Sequence, residues 1–211
     1  MRRLLAALAL AVAIPAANAA GEHERRLGAE VAVLLGDARR LAEPMPEPQR
    51  VGLVLRIKGG LAGLPLLVRQ AREISPDLPG SPPRAIAEIR EALDGRNLFG
   101  VISGLAAMTR AYPFDVGGIL PAEATPERLR IGEAIHKETC AGCHDYPDSQ
   151  AVLPAQDLFR WARVMPPAEF AARLYAGIRG DALTALANPL GAAEMAALIA
   201  YYRENQKDRN P

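Results

Sequence analysis

Cysteine is nearly absent from this sequence, which has only two among its 211 residues. A small domain held together by several disulfide bonds is therefore excluded. An excess of one charge is also lacking, because 25 basic residues stand against 24 acidic ones. Without a basic stripe, the chain does not fit a nucleic-acid partner. Residues 21–112 also contain no strand-like alternation, no nucleotide-binding loop and no catalytic constellation.

Both cysteines stand in one pentad, Cys140-Ala141-Gly142-Cys143-His144. The C-x-x-C-H arrangement is the one by which a haem is bonded to protein through two thioethers. Two residues between the thiols let both sulfurs reach the vinyl groups on one edge of the macrocycle. The adjacent histidine can then place its imidazole under the iron as the proximal ligand. We therefore predict one covalently attached haem c, with Cys140 and Cys143 as its anchors and His144 as its iron ligand.

Three other uses of the cysteine pair are a redox dithiol, half of a zinc site and a lone disulfide. A redox pair usually lies on a strand-to-helix turn of a parallel α/β fold, which this sequence does not suggest. A zinc site would need two further ligands in a chain whose other histidines are His23 and His136.

The N-terminus has the pattern of a secretory signal. Arg2 and Arg3 precede the apolar run Leu4–Ile14, and the small residues Ala17-Asn18-Ala19 follow. We predict that residues 1–19 are a signal peptide cleaved near Ala19, so that the protein is exported to the periplasm, where bacteria attach haem covalently. The alternative is an uncleaved anchor, but the apolar run is shorter than the roughly 20 residues that span a bilayer.

Residues 20–112 are predicted to be an all-helical module of unknown role, with apolar residues at helical spacing. Its second apolar stretch is expected to break at Gly59-Gly60, and Arg56 and Lys58 argue against a membrane span there. Ser81 is expected to cap the next helix, with Pro82 in its first turn. Pro and Gly residues mark residues 113–124 as a linker, and Thr125 followed by Pro126 is expected to open the next helix.

From residue 125 to residue 211 the chain resembles a class I c-type cytochrome, which implies a second all-α unit, a monohaem domain. Gly132 and His136 match positions of the family's first helix, and Leu198 and Tyr201 match its last. The resemblance implies that these two helices cross, with the glycine allowing close approach. His136 then belongs to the helix interface rather than acting as a second iron ligand.

The resemblance also implies roles for two segments between those helices. Pro154 matches the proline whose carbonyl accepts the other ring proton of the proximal histidine. The segment Pro166–Ile178, with Phe170 and Leu174 on one face, matches the intermediate helix.

The sixth iron ligand is where the sequence departs from the family. The loop Gly180–Pro189 contains no methionine, and Leu183 or Thr184 stands where the thioether is expected. We keep open a water-bound or vacant iron, and Met165 as a tentative ligand from elsewhere, although Met165 also suits simple packing. The further candidates are Asn188, Met45, Met108 and His23, while Met195 is expected in the helix interface.

The resemblance implies an electron carrier, or an electron-transfer subunit, that exchanges electrons with redox partners such as a dehydrogenase, an oxidase or another cytochrome. We expect electron transfer rather than enzymatic catalysis. The alternatives are a haem protein whose open sixth site binds or senses small molecules, a peroxidase-type enzyme using Arg179 or Asp181, and a structural subunit that merely carries haem.

Overall fold

The computed structural model of the protein describes residues 21–79, 82–179, 185–186 and 188–205. The predicted signal peptide and the predicted cap at Ser81 lie outside these ranges. Among the described residues the fold is all-α, as predicted, apart from one pair of two-residue antiparallel strands. The helices are α1 Glu22–Arg40, α2 Glu47–Ile74, α3 Pro82–Asp94, α4 Leu98–Ala111, α5 Pro126–Ile135, α6 Ala141–His144, α7 Leu158–Val164, α8 Pro167–Ala176 and α9 Ala192–Glu204. A π-helical segment, His136–Cys140, joins α5 to α6, and the strands are β1 Ile178–Arg179 and β2 Ala185–Leu186.

Helices α1 to α4 pack around one apolar core. Its buried members come from all four helices, as the helical spacing predicted: Leu27, Val31, Leu34, Leu53, Ile57, Leu61, Leu64, Ile86, Ile89, Val101, Leu105 and Met108. Asn97 opens α4, because its side-chain oxygen accepts a hydrogen bond from the amide of Gly100 at 3.0 Å.

The predicted break at Gly59-Gly60 is wrong, because α2 runs without interruption through both glycines and through Pro65. Glycine lowers helix stability by only about 1 kcal/mol. A buried stripe on one face of α2 continues past the pair and keeps the helix packed on α1. Gly60 serves this packing directly, since a Cβ there would lie 2.5 Å from Cδ2 of Leu34.

By length and composition alone, α2 is the described helix that could cross a membrane. The core helices of soluble proteins can have the same length and apolar composition, and one face of α2 lies in the N-terminal core. Arg56, on this helix, donates two hydrogen bonds to the buried carboxylate of Asp37. The charged side chain is thus part of the internal packing of the helices.

The C-terminal half has its own core, built by α7, α8 and α9 together with residues that precede α5. Thr125 caps α5 as predicted, accepting a hydrogen bond from the amide of Arg128 at 3.2 Å. Helix α7 was not predicted from the sequence, and α8 ends at Ala176 rather than at Ile178. The buried apolar members of this core are Ile119, Phe159, Ala162, Met165, Phe170, Ala171, Met195, Leu198, Ile199 and Tyr202.

Residues 113–124 are packed rather than extended between the halves. Ile119 is fully buried in the C-terminal core. Arg25 of α1 donates hydrogen bonds to the backbone oxygens of Asp115, at 2.9 Å, and Gly117. The predicted linker therefore joins the two halves through specific contacts.

Helix α1 belongs to the N-terminal core and also packs against α8 of the C-terminal half. Ala29 and Val33 of α1 pack against Ala172 and Ala176 of α8. Small residues on both helices allow this close approach.

At the end of the seam between α1 and α8 lies Asp37, whose side chain is fully buried. Its carboxylate accepts hydrogen bonds from Arg56 of α2, at 2.7 Å from each of two nitrogens, and from Arg173 of α8 at 2.9 Å. Arg173 also donates to Glu169 at 2.8 Å. One buried carboxylate thus links three helices from both halves of the chain.

Candidate functional site

The pentad lies where α5 changes into a π-helical segment and then into the short helix α6. Cys140 ends the π-helical segment, and Cys143 and His144 lie on α6. Such π-helical insertions occur frequently at functional sites. The hydroxyl of Thr139 donates to the backbone oxygen of Ile135 at 2.7 Å, which ties the segment to the end of α5.

The two cysteines are unpaired thiols with different surroundings. Cys143 is exposed, and Cys140 is half-buried. The sulfur of Cys140 lies 3.3 Å from the hydroxyl oxygen of Thr139 and also interacts with the hydroxyl of Tyr202. Burial raises the pKa of Tyr202, and the neighbouring Cys140 raises it further, so this phenol stays protonated at neutral pH.

The imidazole of His144 is held in one tautomer. Its Nδ1 lies 2.6 Å from the backbone oxygen of Gln156. Because a carbonyl oxygen can only accept, Nδ1 carries the proton, and in the neutral ring Nε2 keeps its lone pair. Nε2 has no hydrogen-bond partner within the described ranges. This is the ring state that a metal-binding histidine requires.

The predicted partner of this histidine needs correction. We expected the carbonyl of Pro154 to accept the ring proton, but the acceptor is Gln156, two residues further along the loop. The carbonyl of Pro154 instead accepts from Nε2 of the Gln156 side chain at 2.8 Å. Pro154 therefore supports the accepting residue rather than the histidine itself.

His136 lies in the helix interface, as predicted. Its ring is buried and makes edge contacts with Phe159 and Tyr202, with centroids 5.2 and 5.4 Å apart. Nδ1 lies 3.1 Å from the hydroxyl of Tyr202, and Nε2 lies 3.3 Å from the carboxylate of Asp145. With both ring nitrogens engaged, His136 is a packing and hydrogen-bonding residue here.

The crossing of α5 and α9 is confirmed. A Cβ added at Gly132 would overlap the backbone oxygen of Ala197 and would lie 2.6 Å from Cβ of Tyr201. The two helices thus touch backbone to backbone at this glycine. Leu198, on the same turn of α9, is fully buried in the C-terminal core.

The candidates for a sixth ligand are placed as follows. Met165 directly follows α7 as its C-cap and is buried in the same core as Met195, whose interface position is confirmed. The side-chain nitrogen of Asn188 donates to the backbone oxygen of Leu174 at 2.6 Å, and its side-chain oxygen accepts from the amide of Leu190 at 2.9 Å. Both polar atoms of this side chain are therefore hydrogen-bonded within the protein.

The other three candidates lie in the N-terminal half, and several residues of the loop that lacks a methionine lie outside the described ranges. Met45 and Met108 pack in the N-terminal core, and His23 lies on α1. Leu183, Thr184 and Asp181 lie outside the described residues, as does the side chain of Arg179.

The side chains present fit a covalently attached haem. Two unpaired thiols precede His144, that of Cys143 being exposed, and the imidazole presents the nitrogen that would bind iron. In the part of the chain described, no group of three or more His, Cys, Asp or Glu side chains is placed to hold a metal ion.

Comparison of the chain with known protein families, with curated protein sequences and with solved structures finds no match.

Proposed function

We propose that the protein is a periplasmic monohaem c-type cytochrome that carries electrons between redox partner proteins. The observation that carries the proposal is the state of His144. Inside an intact C-x-x-C-H pentad, a hydrogen bond of 2.6 Å to a carbonyl leaves its Nε2 free to bind iron. A simple disulfide would not require this tautomer of the adjacent histidine. A zinc site would need further ligands, and among the described residues no group of three or more His, Cys, Asp or Glu side chains is placed to supply them.

A bound haem would supply the redox change between ferrous and ferric iron. The residues of this chain perform three tasks around it. Cys140 and Cys143 would hold the cofactor at a fixed place, and Cys143 is exposed, so that a partner protein can approach this edge of the site. His144 would bind the iron through Nε2, while the Gln156 carbonyl holds the ring orientation and would increase the electron donation of the imidazole.

The proposal is tested by the mass of the intact protein after expression with a bacterial haem-attachment system. We expect the full-length mature chain to carry the mass of one haem that resists extraction with acidified organic solvent. The Cys140→Ser, Cys143→Ser double variant, expressed in parallel, should have only the mass of the polypeptide. A wild-type protein with the bare polypeptide mass would overturn the proposal.

The identity of the sixth ligand distinguishes an electron carrier from the alternative function, a haem protein whose open site binds or senses small molecules. The absence of methionine from residues 180–189 favours that alternative. We expect no sulfur ligand from this loop. If Met165 is the ligand, ferric protein should show the weak near-infrared band of sulfur–iron ligation, and Met165→Ala should abolish that band.

Met195→Ala is the matched control, because Met195 is buried in the same core and its truncation creates a comparable cavity. Loss of the band in Met195→Ala but not in Met165→Ala would contradict the placement of these two residues. Absence of the band from the wild-type protein, together with ready binding of carbon monoxide by the ferrous form, would favour the open-site alternative.

A further inference from the structure

The loop that follows the pentad, residues 145–157, lies against the N-terminal half. A Cβ at Gly52 of α2 would lie 2.6 Å from Cγ1 of Val152 and 3.0 Å from Cγ of Leu153. Leu153 also packs against the N-terminal core. The two loop side chains therefore rest on the bare backbone of α2, and this contact exists only because residue 52 has no side chain.

The end of the loop is held from a second direction. The side-chain oxygen of Gln156 accepts a hydrogen bond from the indole nitrogen of Trp161 at 3.0 Å. The guanidinium of Arg40, in the last turn of α1, lies over the Trp161 ring at 5.1 Å from its centroid. The next residue, Asp157, caps α7 by accepting from the amides of Phe159 and Arg160.

Both lines of contact lead to one residue, Gln156. The backbone oxygen of Gln156 accepts the Nδ1 proton of His144, while the side chain of the same residue is held by Trp161. A displacement of the loop at Leu153, or loss of the bond from Trp161, would move this oxygen relative to the imidazole. The N-terminal half is thus connected to His144 through Gly52 and through Arg40.

We propose that the N-terminal helical module positions the proximal haem ligand. The module contacts the loop at Gly52 and contacts Trp161 through Arg40, and Trp161 in turn holds Gln156. These contacts maintain the hydrogen bond from Nδ1 of His144 to the Gln156 carbonyl. Gln156 and Trp161 are positioning residues, because they act on the iron through the histidine. This inference rests on the proposed haem-binding function and gives residues 20–112 a role in setting the reduction potential.

Trp161→Phe tests one branch of the connection. The phenyl ring can still lie under Arg40, but the donor to Gln156 is lost. A weaker Nδ1–H bond makes the imidazole a poorer electron donor and stabilises ferric iron less, so the midpoint potential of the haem-loaded protein should rise. Exchange of the His144 ring proton with solvent, followed by NMR in the ferrous state, should become about tenfold faster.

Gly52→Leu tests the other branch and should shift the potential and the exchange rate in the same directions. Gly63→Leu is its control on the same helix, because a Cβ at Gly63 meets no atom within 4 Å. Thermal unfolding of every variant separates general destabilisation from the specific effect. If Gly52→Leu does not fold, Gly52→Ala and Gly63→Ala replace the pair.

The outcomes distinguish this inference from the function on which it rests. A haem-loaded wild type with unchanged potential and exchange rate in Trp161→Phe and in the Gly52 variants would overturn the inference alone. A wild-type chain that acquires no haem would overturn the proposed function and the inference with it.

Discussion

Replacing Asp37 with asparagine should destabilise the protein by about 3 to 5 kcal/mol, the usual effect of removing one partner from a buried ion pair. The Asp37 carboxylate is fully buried and is the shared acceptor of Arg56 and Arg173. Asparagine has nearly the same shape but no charge, so two guanidinium groups would lose their common counter-charge. Chemical denaturation monitored by circular dichroism measures the change in free energy of unfolding.

Asp94→Asn is the matched control. Asp94 pairs with Lys58 at 2.6 Å, but both side chains are largely exposed. Exposed pairs of this kind contribute up to about 1 kcal/mol. Equal losses in Asp37→Asn and Asp94→Asn would show that the buried network does not hold the helices together.

The same network predicts a dependence on pH. Burial alone would raise the pKa of Asp37, but Arg173 and Arg56 together lower it below its ordinary value of 3.8. A carboxyl group whose pKa is lowered on folding stabilises the fold at pH above its unfolded value. This contribution should therefore be complete at neutral pH and be lost as the pH falls below 3.8. In Asp37→Asn this part of the acid sensitivity should be missing.

Gly132→Leu should destabilise the C-terminal half by about 1 to 3 kcal/mol, the usual range for overpacking. The atoms that a side chain would meet include the backbone oxygen and carbon of Ala197, which cannot move without shifting α9. Thermal or chemical denaturation measures the loss. Haem attachment at Cys140, which interacts with Tyr202 of α9, should fall with it.

Gly59→Leu is the corresponding control, since it makes the same substitution in a helix where a Cβ meets no atom within 4 Å. Leucine favours the helical state over glycine by somewhat less than 1 kcal/mol. Gly59→Leu should therefore leave stability unchanged or raise it slightly. Tolerance of leucine at Gly132 would mean that α5 and α9 do not cross at this residue.

The helices were predictable where a local sequence pattern decides the outcome. Apolar spacing predicted α1, α3 and α4, and the pair Thr125-Pro126 predicted the start of α5. The crossing at Gly132 was predicted from the resemblance to class I c-type cytochromes, and the structure shows why a glycine is needed there, since a Cβ would overlap the backbone of α9. The helix predictions depend on residues that lie near one another in sequence, whereas the crossing joins distant residues and depended on the resemblance.

Other features depend on contacts between distant residues, which one sequence does not contain. The Gly59-Gly60 pair resembles a helix end, yet packing on α1 keeps α2 continuous. The acceptor for the His144 ring proton is Gln156 rather than the predicted Pro154, and Gln156 is itself held by Trp161, a contact that only the folded α7 provides. Asp157, followed by Leu158 and Phe159, was a capping signal from which α7 could have been predicted.

The position of α1 between the two halves has a consequence for the order of folding. Its contacts with α8 join residues far apart in sequence: Asp37 and Arg173 are 136 positions apart, and Glu22 and Tyr175 are 153 positions apart. Helix α1 therefore emerges early during synthesis but completes its packing only after α8 has been made. Until then its small-residue face is uncovered and Asp37 lacks Arg173, which makes docking of α8 a late, non-local step in folding.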